Sequence, residues 1–371
     1  MTDSARPVGF HYMVAVWGTA FTRRFLDYAL PTQLAEGNLP ALSNLAGSVY
    51  TIATTASDEA TIRADAGFAR LAALVPCQFL SIDDVDRAEP YTAMTEAHRR
   101  CLQRLHPAHA AVILPPDALW SDGSFAALER LVAAGKRLVL IAGLRTRAET
   151  LEPVLAAWRA AQPGPGLTLS GRELVTLALA HLHAVSEALC WDEPRFTRWP
   201  SHLYWRVGEA GLLACAYHQH PFLVLPPPAA GPPTTTVDGE YLETLGLAAE
   251  QCHVVSDSDE VCQIEVSDRH QASGLDRLRP ARLWRVAAWL RVHACPLHMR
   301  CSETLIRMHN GQSADWAQAV ARAAAIRRAL AWRRGLLVRL NPLFRLVSWL
   351  RVRGGAIKRR LLGQPIPPRR P

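Results

Sequence analysis

The chain has 371 residues, of which 49% are hydrophobic and 20% are charged, and its formal net charge is +8. This length and composition allow a large core in one or two domains and exclude disorder as the default for most of the chain. No uninterrupted apolar stretch approaches the roughly 18 residues that a spanning helix needs, which argues against an integral membrane protein.

The charge is unevenly distributed along the chain. Fourteen of the 41 basic residues follow Asp315, whereas no acidic residue does, and this leaves 27 basic against 33 acidic residues in the rest. A mildly acidic body with a strongly basic tail predicts contact between the tail and an anionic surface, either a membrane or a nucleic acid.

The first ten residues, MTDSARPVGF, lack the basic start and the apolar core of a signal peptide. Eight cysteines are scattered without a CxxC pair, so reduced thiols are expected rather than a zinc module. Both observations favour a cytoplasmic protein.

Strand-like and helix-like segments alternate from residue 10 to about residue 160. The predicted strands are 10–17, 48–55, 77–82, 109–115 and 136–144. The predicted helices are 19–35, ended or kinked at Pro31, then about 57–74 with Ser57 or Asp58 as cap, 91–105, and 123–135 closed by Gly135. Continuously apolar strands indicate helices on both faces of a mostly parallel sheet, and the predicted class is therefore α/β.

The second half is less regular. It contains a helical pattern over 172–189, a segment 212–228 that carries a strand ending in a His pair, a loop or lid over 229–242, and two strands around an acidic turn over 251–268. From about residue 275 the pattern is helical and basic. We therefore predict an α/β domain at 1–270 and a basic helical region at 271–371.

Glycine motifs that identify many α/β enzymes are absent. The segment VWGTAFTRRF after the first strand offers only Gly18 and no GxGxxG, and the chain has neither a Walker A loop nor a GxSxG elbow. Ligands of open α/β sheets bind beyond the carboxyl ends of the strands, and polar residues there are the candidates.

Two aspartates follow the fourth strand in the segment PPDALWSDGS. Asp117 and Asp122 can supply the hard carboxylate oxygens that hold a divalent cation on a diphosphate. Asp117 is equally suited to a turn, and Asp122 to a helix N-cap.

The segment AYHQHPF contains His218 and His220. Two residues apart on one strand, they would face the same side, where imidazoles bind a metal or a phosphate or act as acid and base. The alternative is a pair of structural histidines at a strand end.

Further polar candidates follow other strands. Asp257 and Asp259 form an Asp-x-Asp pair that suits a metal, although acidic turns are common in hairpins. Asp238 is a site candidate or a plain Asp-Gly turn. Arg145 follows the fifth strand and can neutralise phosphate.

Strand–helix alternation without a glycine motif, followed by an apolar strand that runs into the Asp-containing turn, resembles the GT-A nucleotide-sugar glycosyltransferases. The opening VAVWGTAFTRRFLDYALPTQLAEGNLPAL is similar to that of bacterial polysaccharide-type transferases, and the resemblance covers about 10–265. The usual Asp-x-Asp reads PDALWSDGS here. The metal site is therefore looser, or absent, or formed by Asp257 and Asp259.

The resemblance implies the role of each candidate. The ends of the first strands would bind the nucleotide, which assigns Trp17 and Gly18, with Arg145, to the donor. Mg²⁺ or Mn²⁺ would be held on the diphosphate by members of the set Asp117, Asp122, His218, Asp257 and Asp259. Asp238 or His220 would be the base that takes the proton of the acceptor hydroxyl.

Residues 331–362 are predicted to form a basic amphipathic helix, divided at Asn341–Pro342. An apolar face with arginines beside it suits an anionic membrane surface, and no nucleic-acid module accompanies the charge. The apolar stripe comprises Trp332, Leu336, Leu337, Leu340, Leu343, Val347 and Leu350.

Together these features predict a peripheral transferase of polysaccharide biosynthesis at the inner face of the cytoplasmic membrane. Its partners would be a nucleotide-sugar donor and a glycan or lipid-linked acceptor. The alternatives are a non-catalytic scaffold on the same fold, and a metal-dependent hydrolase that uses the histidines and the acidic turns.

Overall fold

The computed structural model describes residues 9–340, except residues 163, 228–229, 272–274 and 276–277. The part of the predicted tail helix (331–362) that follows residue 340 therefore lies outside the described residues. Among the described residues, no helix is both long and apolar enough to cross a membrane.

The strands of the described residues are β1 Gly9–Ala15, β2 Val49–Thr54, β3 Cys77–Ser81, β4 His109–Leu114, β5 Ala118–Trp120, β6 Leu138–Ile141, β7 Leu144–Arg147, β8 His202–Arg206, β9 Gly211–Ala216, β10 His220–Val224, β11 Cys252–Val254, β12 Gln263–Ser267 and β13 Ile306–His309.

The α-helices of the described residues are α1 Thr19–Arg24, α2 Leu30–Gln33, α3 Ala56–Arg63, α4 Ala66–Leu74, α5 Pro90–Gln103, α6 Ser124–Ala133, α7 Ala148–Ala161, α8 Gly171–Ala180, α9 Ala184–Glu187, α10 Gly239–Thr244, α11 Leu283–His293, α12 Pro296–Cys301 and α13 Trp316–Arg339. A π-helical segment, Phe25–Ala29, joins α1 to α2.

The central sheet confirms the predicted α/β class. Its strand order is β11-β6-β10-β4-β1-β2-β3. Every pair is parallel except those that β10 makes with β4 and β6, which are antiparallel. The carboxyl ends of the parallel strands and the amino end of β10 therefore share one edge of the sheet.

Two smaller sheets complete this architecture. The first has the order β5-β12-β7, and the second is the antiparallel sheet β13-β9-β8. The first matters for the site, because β5 begins only four residues after β4 ends and so carries the chain from the edge of the central sheet.

Apolar side chains cover both faces of the central sheet, as continuously apolar strands require. On one face Trp120 stacks on Phe222 at 4.1 Å between ring centroids, and Phe125 of α6 joins them. On the other face Met13 packs in a cluster with Ala97 of α5. Phe222 and Leu223 anchor β10 in the first of these layers.

Three predicted strand segments are wrong in detail. The segment 136–144 contains the whole of β6 and the first residue of β7, which are two strands, since β6 lies in the central sheet and β7 in a small one. The segment 212–228 contains β9 and β10, again in different sheets. The two strands of 251–268 are β11 and β12, which do not pair, so that segment is not a hairpin. The hydrophobic pattern of the sequence identifies apolar runs. The sheet to which a strand belongs depends on pairing with strands that are distant in the sequence.

Two helix ends also differ from the prediction. Pro31 does not end the first helix, because the wide turn of the π-helical segment precedes it and accommodates a residue without an N–H. Thr55, rather than Ser57 or Asp58, caps α3 by accepting the N–H of Asp58. Gly135 has the predicted left-handed φ of 83° after α6.

The chain divides into two compact units. Residues 9–281 and 294–323 belong to the first, and residues 282–293 and 324–340 belong to the second. The predicted domain boundary at residue 270 stays a prediction.

We expect Phe222→Ala to destabilise the protein by about 3–5 kcal/mol, because it opens a cavity against the Trp120 ring in a fully buried layer. Urea unfolding measures the loss. Tyr91→Ala, at a side chain that is 65% exposed, should change stability by less than about 0.5 kcal/mol. Equal effects of the two substitutions would contradict this description of the core.

Candidate functional site

The carboxyl edge of the central sheet carries most of the residues that the sequence singled out. Asp117 follows β4, and Trp17 and Gly18 follow β1. His220 begins β10 and pairs with Ile141, the last residue of β6, so the reversed direction of β10 places this histidine at the same edge.

Asp117 lies beside a carboxylate and a guanidinium from the small sheet. Glu265 of β12 is paired in register with Ala118 on one side and with Arg145 on the other. The Asp117 carbonyl accepts the N–H of Val266 at 3.0 Å, and this bond fixes the turn against β12. The sheet thus brings two acids and one arginine together.

Burial and a like charge perturb this group. Burial raises the pKa of Asp117 to about 7, the nearby Glu265 carboxylate adds to the rise, and Arg145 opposes it. Arg145 donates to Glu265 at 3.3 Å. Asp117 is therefore partly protonated near neutral pH. A cation bound beside the two acids would stabilise its ionised form.

The histidines form the other half of the site. His218 lies in the turn between β9 and β10, with its Nε2 3.4 Å from the Asp238 carboxylate. Burial alone would raise the pKa of Asp238, but hydrogen bonds from His218 and Thr236 lower it. Asp238 is therefore a carboxylate at neutral pH, directly before α10.

His220 connects the two halves. Burial within the site lowers its pKa, although its side chain remains exposed to solvent. The charges of Glu265 and Arg145 act on His220, and so do those of His218 and Asp238. Its ring centroid lies 6.1 Å from that of His218, and His220 is thus a neutral, accessible imidazole that feels both groups. Because His218 lies in a turn, the expectation that both histidines share one strand face is wrong.

Two buried histidines behind this pair were missed from the sequence. His298 of α12 lies 4.9 Å from the His218 ring, and neither of its nitrogens has a hydrogen-bond partner among the described residues. Burial lowers the pKa of His298 to about 4 and that of His202 to about 3. A side chain on Gly239 would collide with the His298 ring, since an added Cβ would lie 2.1 Å from it.

The turn after β1 is fixed by a residue that the sequence suggested only as a cap. The N–H of Gly18 donates to Asp58 at 2.9 Å, and Thr22 and Thr55 donate to the same carboxylate. Trp17 is partly buried against the core of the central sheet. The position of both residues at the edge suits a ligand, and their assignment to the donor stays a prediction.

Asp122 holds a turn. Its carboxylate accepts the N–H of Gly37 at 2.7 Å, and its own N–H donates to Leu169. Gly123, with φ of 85°, is the N-cap of α6, so Asp122 does not cap that helix. These bonds give Asp122 a structural part in addition to its predicted role as a ligand.

Asp257 and Asp259 meet a histidine that the sequence did not indicate. Within the described part of the chain, they and His309 are the one group of three or more possible ligands whose atoms all lie within 4.8 Å of one another. Two carboxylates and an imidazole are consistent with a divalent cation such as Mn²⁺. His309 was missed because β13 lies in a region predicted to be helical.

The same group is held together by protein hydrogen bonds. Gly311 donates its N–H to His309 Nδ1 at 3.2 Å, so Nε2 carries the proton that is donated to Asp257 at 3.0 Å. Arg172 contacts both oxygens of Asp259 at 3.2 and 2.8 Å. A cation bound at His309 Nε2 would require the other His309 tautomer and would compete with Arg172 for Asp259.

The comparisons with known proteins gave matches only among solved structures. No family model and no curated protein matches the chain. One matched structure is the mannosyltransferase PcManGT from Pyrobaculum calidifontis in complex with GDP-Man and Mn²⁺, at 12% identity and a TM-score of 0.35, over 95% of this chain and 81% of that one.

Two further matches cover less. Mouse xyloside xylosyltransferase 1 matches at 14% identity and a TM-score of 0.23, over 43% of this chain and 63% of that one. TarS from S. aureus matches at 7% identity and a TM-score of 0.27, over 37% of this chain and 22% of that one. Glycosyltransferases, the class named by the sequence resemblance, are thus among the matched structures.

Asp117→Asn should flatten the pH dependence of stability. Because the pKa of Asp117 is raised from 3.8 to about 7, the folded state holds a proton that the unfolded chain releases, and stability falls as pH rises through this window. The uncharged Asn should remove about 1–3 kcal/mol of that fall. Urea unfolding at the two ends of the window, with a chelator present, measures it.

Asp122→Asn, on the other side of β5, is the matched control. It weakens the bond to Gly37 and should cost about 0.5–1.5 kcal/mol, while the fall in stability that Asp117 causes with rising pH should persist. A wild-type pH dependence in Asp117→Asn would show that Asp117 does not titrate as described.

Proposed function

We propose that the protein is a glycosyltransferase that moves a sugar from a nucleoside diphosphate donor to an acceptor hydroxyl. The observation that carries the proposal is the convergence, at the carboxyl edge of the sheet, of the Asp117–Glu265–Arg145 group with the His218–Asp238 pair, with His220 between them. The first group suits a diphosphate with its cation, and the second suits removal of a proton.

The acidic half would bind the diphosphate. Arg145 is a planar donor suited to phosphate oxygens, and it now contacts Glu265. Asp117 and Glu265 would hold Mg²⁺ or Mn²⁺, whose charge would stabilise the nucleoside diphosphate as it leaves. The Asp257, Asp259 and His309 group is the second place for this cation, and Asp122 and His218 stay predicted ligands.

The histidine half would accept the proton of the acceptor. His220 is neutral and accessible, which a general base requires. Asp238 is ionised and oriented by His218 and Thr236. Both remain candidates for the base, and whichever is not the base would orient its partner or the acceptor.

The nucleotide contacts, the acceptor and the location in the cell complete the proposal. Trp17 and Gly18 would contact the nucleotide at the end of β1. The acceptor would be a growing glycan or a lipid-linked sugar of polysaccharide biosynthesis. A lipid-linked acceptor would place the protein at the inner face of the cytoplasmic membrane.

A metal-dependent hydrolase is the second candidate, and the Asp257, Asp259 and His309 group favours it. Such an enzyme would bind a divalent cation without nucleotide and would release free sugar or phosphate when no acceptor is present. A transferase needs the acceptor for rapid turnover.

A thermal-shift panel of UDP, GDP, CMP and their sugars, each with and without Mn²⁺, tests the proposal on the full chain. One nucleotide at saturation should raise the Tm by about 5 °C, and Mn²⁺ should increase the shift. Asp117→Asn should abolish the increase due to Mn²⁺, whereas loss in Asp259→Asn instead would assign the cation to the second group.

A protein that shifts with none of these nucleotides is not a nucleotide-sugar transferase, and the scaffold or the hydrolase would then stand. Mn²⁺ alone separates these two, since only the hydrolase predicts a shift from the cation without nucleotide.

His220→Gln and Asp238→Asn separate the two candidate bases. Loss of the base should lower kcat by about 10²- to 10⁴-fold with little change in the KM of the donor. Steady-state assays with the donor found in the panel measure both constants. His181→Gln, at a half-buried histidine that contacts Thr150, is the control and should act as wild type. Full activity in both variants would exclude this half of the site from catalysis.

A further inference from the structure

The second compact unit carries an unusual combination of charge and exposed aromatic surface. Its described segments, 282–293 and 324–340, contain eight arginines and no acidic residue. A solvated segment whose charges are all positive attracts an anionic partner over about a Debye length. The charge is not confined to the tail beyond residue 340.

Two tryptophans from different helices meet in this unit. Trp284 of α11 and Trp332 of α13 have ring centroids 6.1 Å apart at an angle of 61°, and they are 48% and 62% exposed. The guanidinium carbon of Arg333 lies 5.4 and 5.5 Å from the two rings. The cation thus lies against both rings, in the arrangement of a cation–π contact.

Exposed aliphatic residues extend this surface. Trp284, Ala288 and Val292 follow at steps of four on α11 and are all exposed, so they form an apolar stripe along the helix. Val292, at the end of this stripe, is 65% exposed. Exposed apolar side chains among arginines mark an interaction site rather than an ordinary solvated face.

We propose that this surface, formed by Trp284, Val292, Trp332 and Arg333, binds an anionic lipid bilayer. Tryptophan rings favour the boundary between headgroups and acyl chains, valines favour the chains, and arginines attract anionic headgroups. The aliphatic stripe of Ala288 and Val292 beside the rings offers no hydrogen bond to a base or a phosphate, which favours a bilayer over a nucleic acid. This proposal is independent of the catalytic one.

Co-sedimentation of the full chain with phosphatidylcholine vesicles, with and without phosphatidylglycerol, tests it. The wild type should bind only the anionic vesicles, and salt should weaken binding. Trp284→Ser/Trp332→Ser should reduce partitioning by about tenfold. Trp199→Ser removes a tryptophan that is 50% exposed in the first unit and should bind as wild type.

Two further variants keep the test decisive if the double substitution disturbs folding. Val292→Asp and Arg333→Glu should each reduce binding, whereas Arg70→Glu, at an exposed arginine of α4, should not. Wild-type binding in the surface variants, equal binding to neutral vesicles, or preferential binding of a labelled oligonucleotide would each overturn the proposal.

Discussion

The reversed direction of β10 is the constraint on which the site depends. This strand runs antiparallel between β4 and β6, so its first residue, His220, lies where its neighbours end. The three-residue turn from β9 places His218 beside it. A parallel strand at this position would carry these imidazoles to the opposite edge, away from Asp117.

Partial burial acts on both kinds of group in the same direction. It disfavours charge, so the pKa of Asp117 rises while that of His220 falls. The edge therefore carries less charge at neutral pH than its composition suggests. A divalent cation bound beside Asp117 would favour its ionised form, which links binding of the cation to release of a proton.

The sequence predicts the class of the fold and the first strands better than it predicts which strands pair. Continuous apolar runs identify β1 to β4, because burial on both faces leaves a local signature. The edge location of Asp117 and Arg145 follows from their place after strands. Glu265 was missed although a charge inside an apolar strand was a signal, and its proximity to Arg145 depends on the register of β12 with β7. His298 gave no signal, since its place at the site results from the packing of α12.

The close packing of His298 against Gly239 has an evolutionary consequence. No other residue fits at position 239 while the imidazole stays where it is, because the added carbon would overlap the ring. Conversely, a smaller residue at position 298 would open space beside the backbone of α10. Diverged forms of this chain should therefore change the two positions together. A glycine at 239 without a large residue at 298 would mark a lineage in which the packing between α10 and α12 has changed.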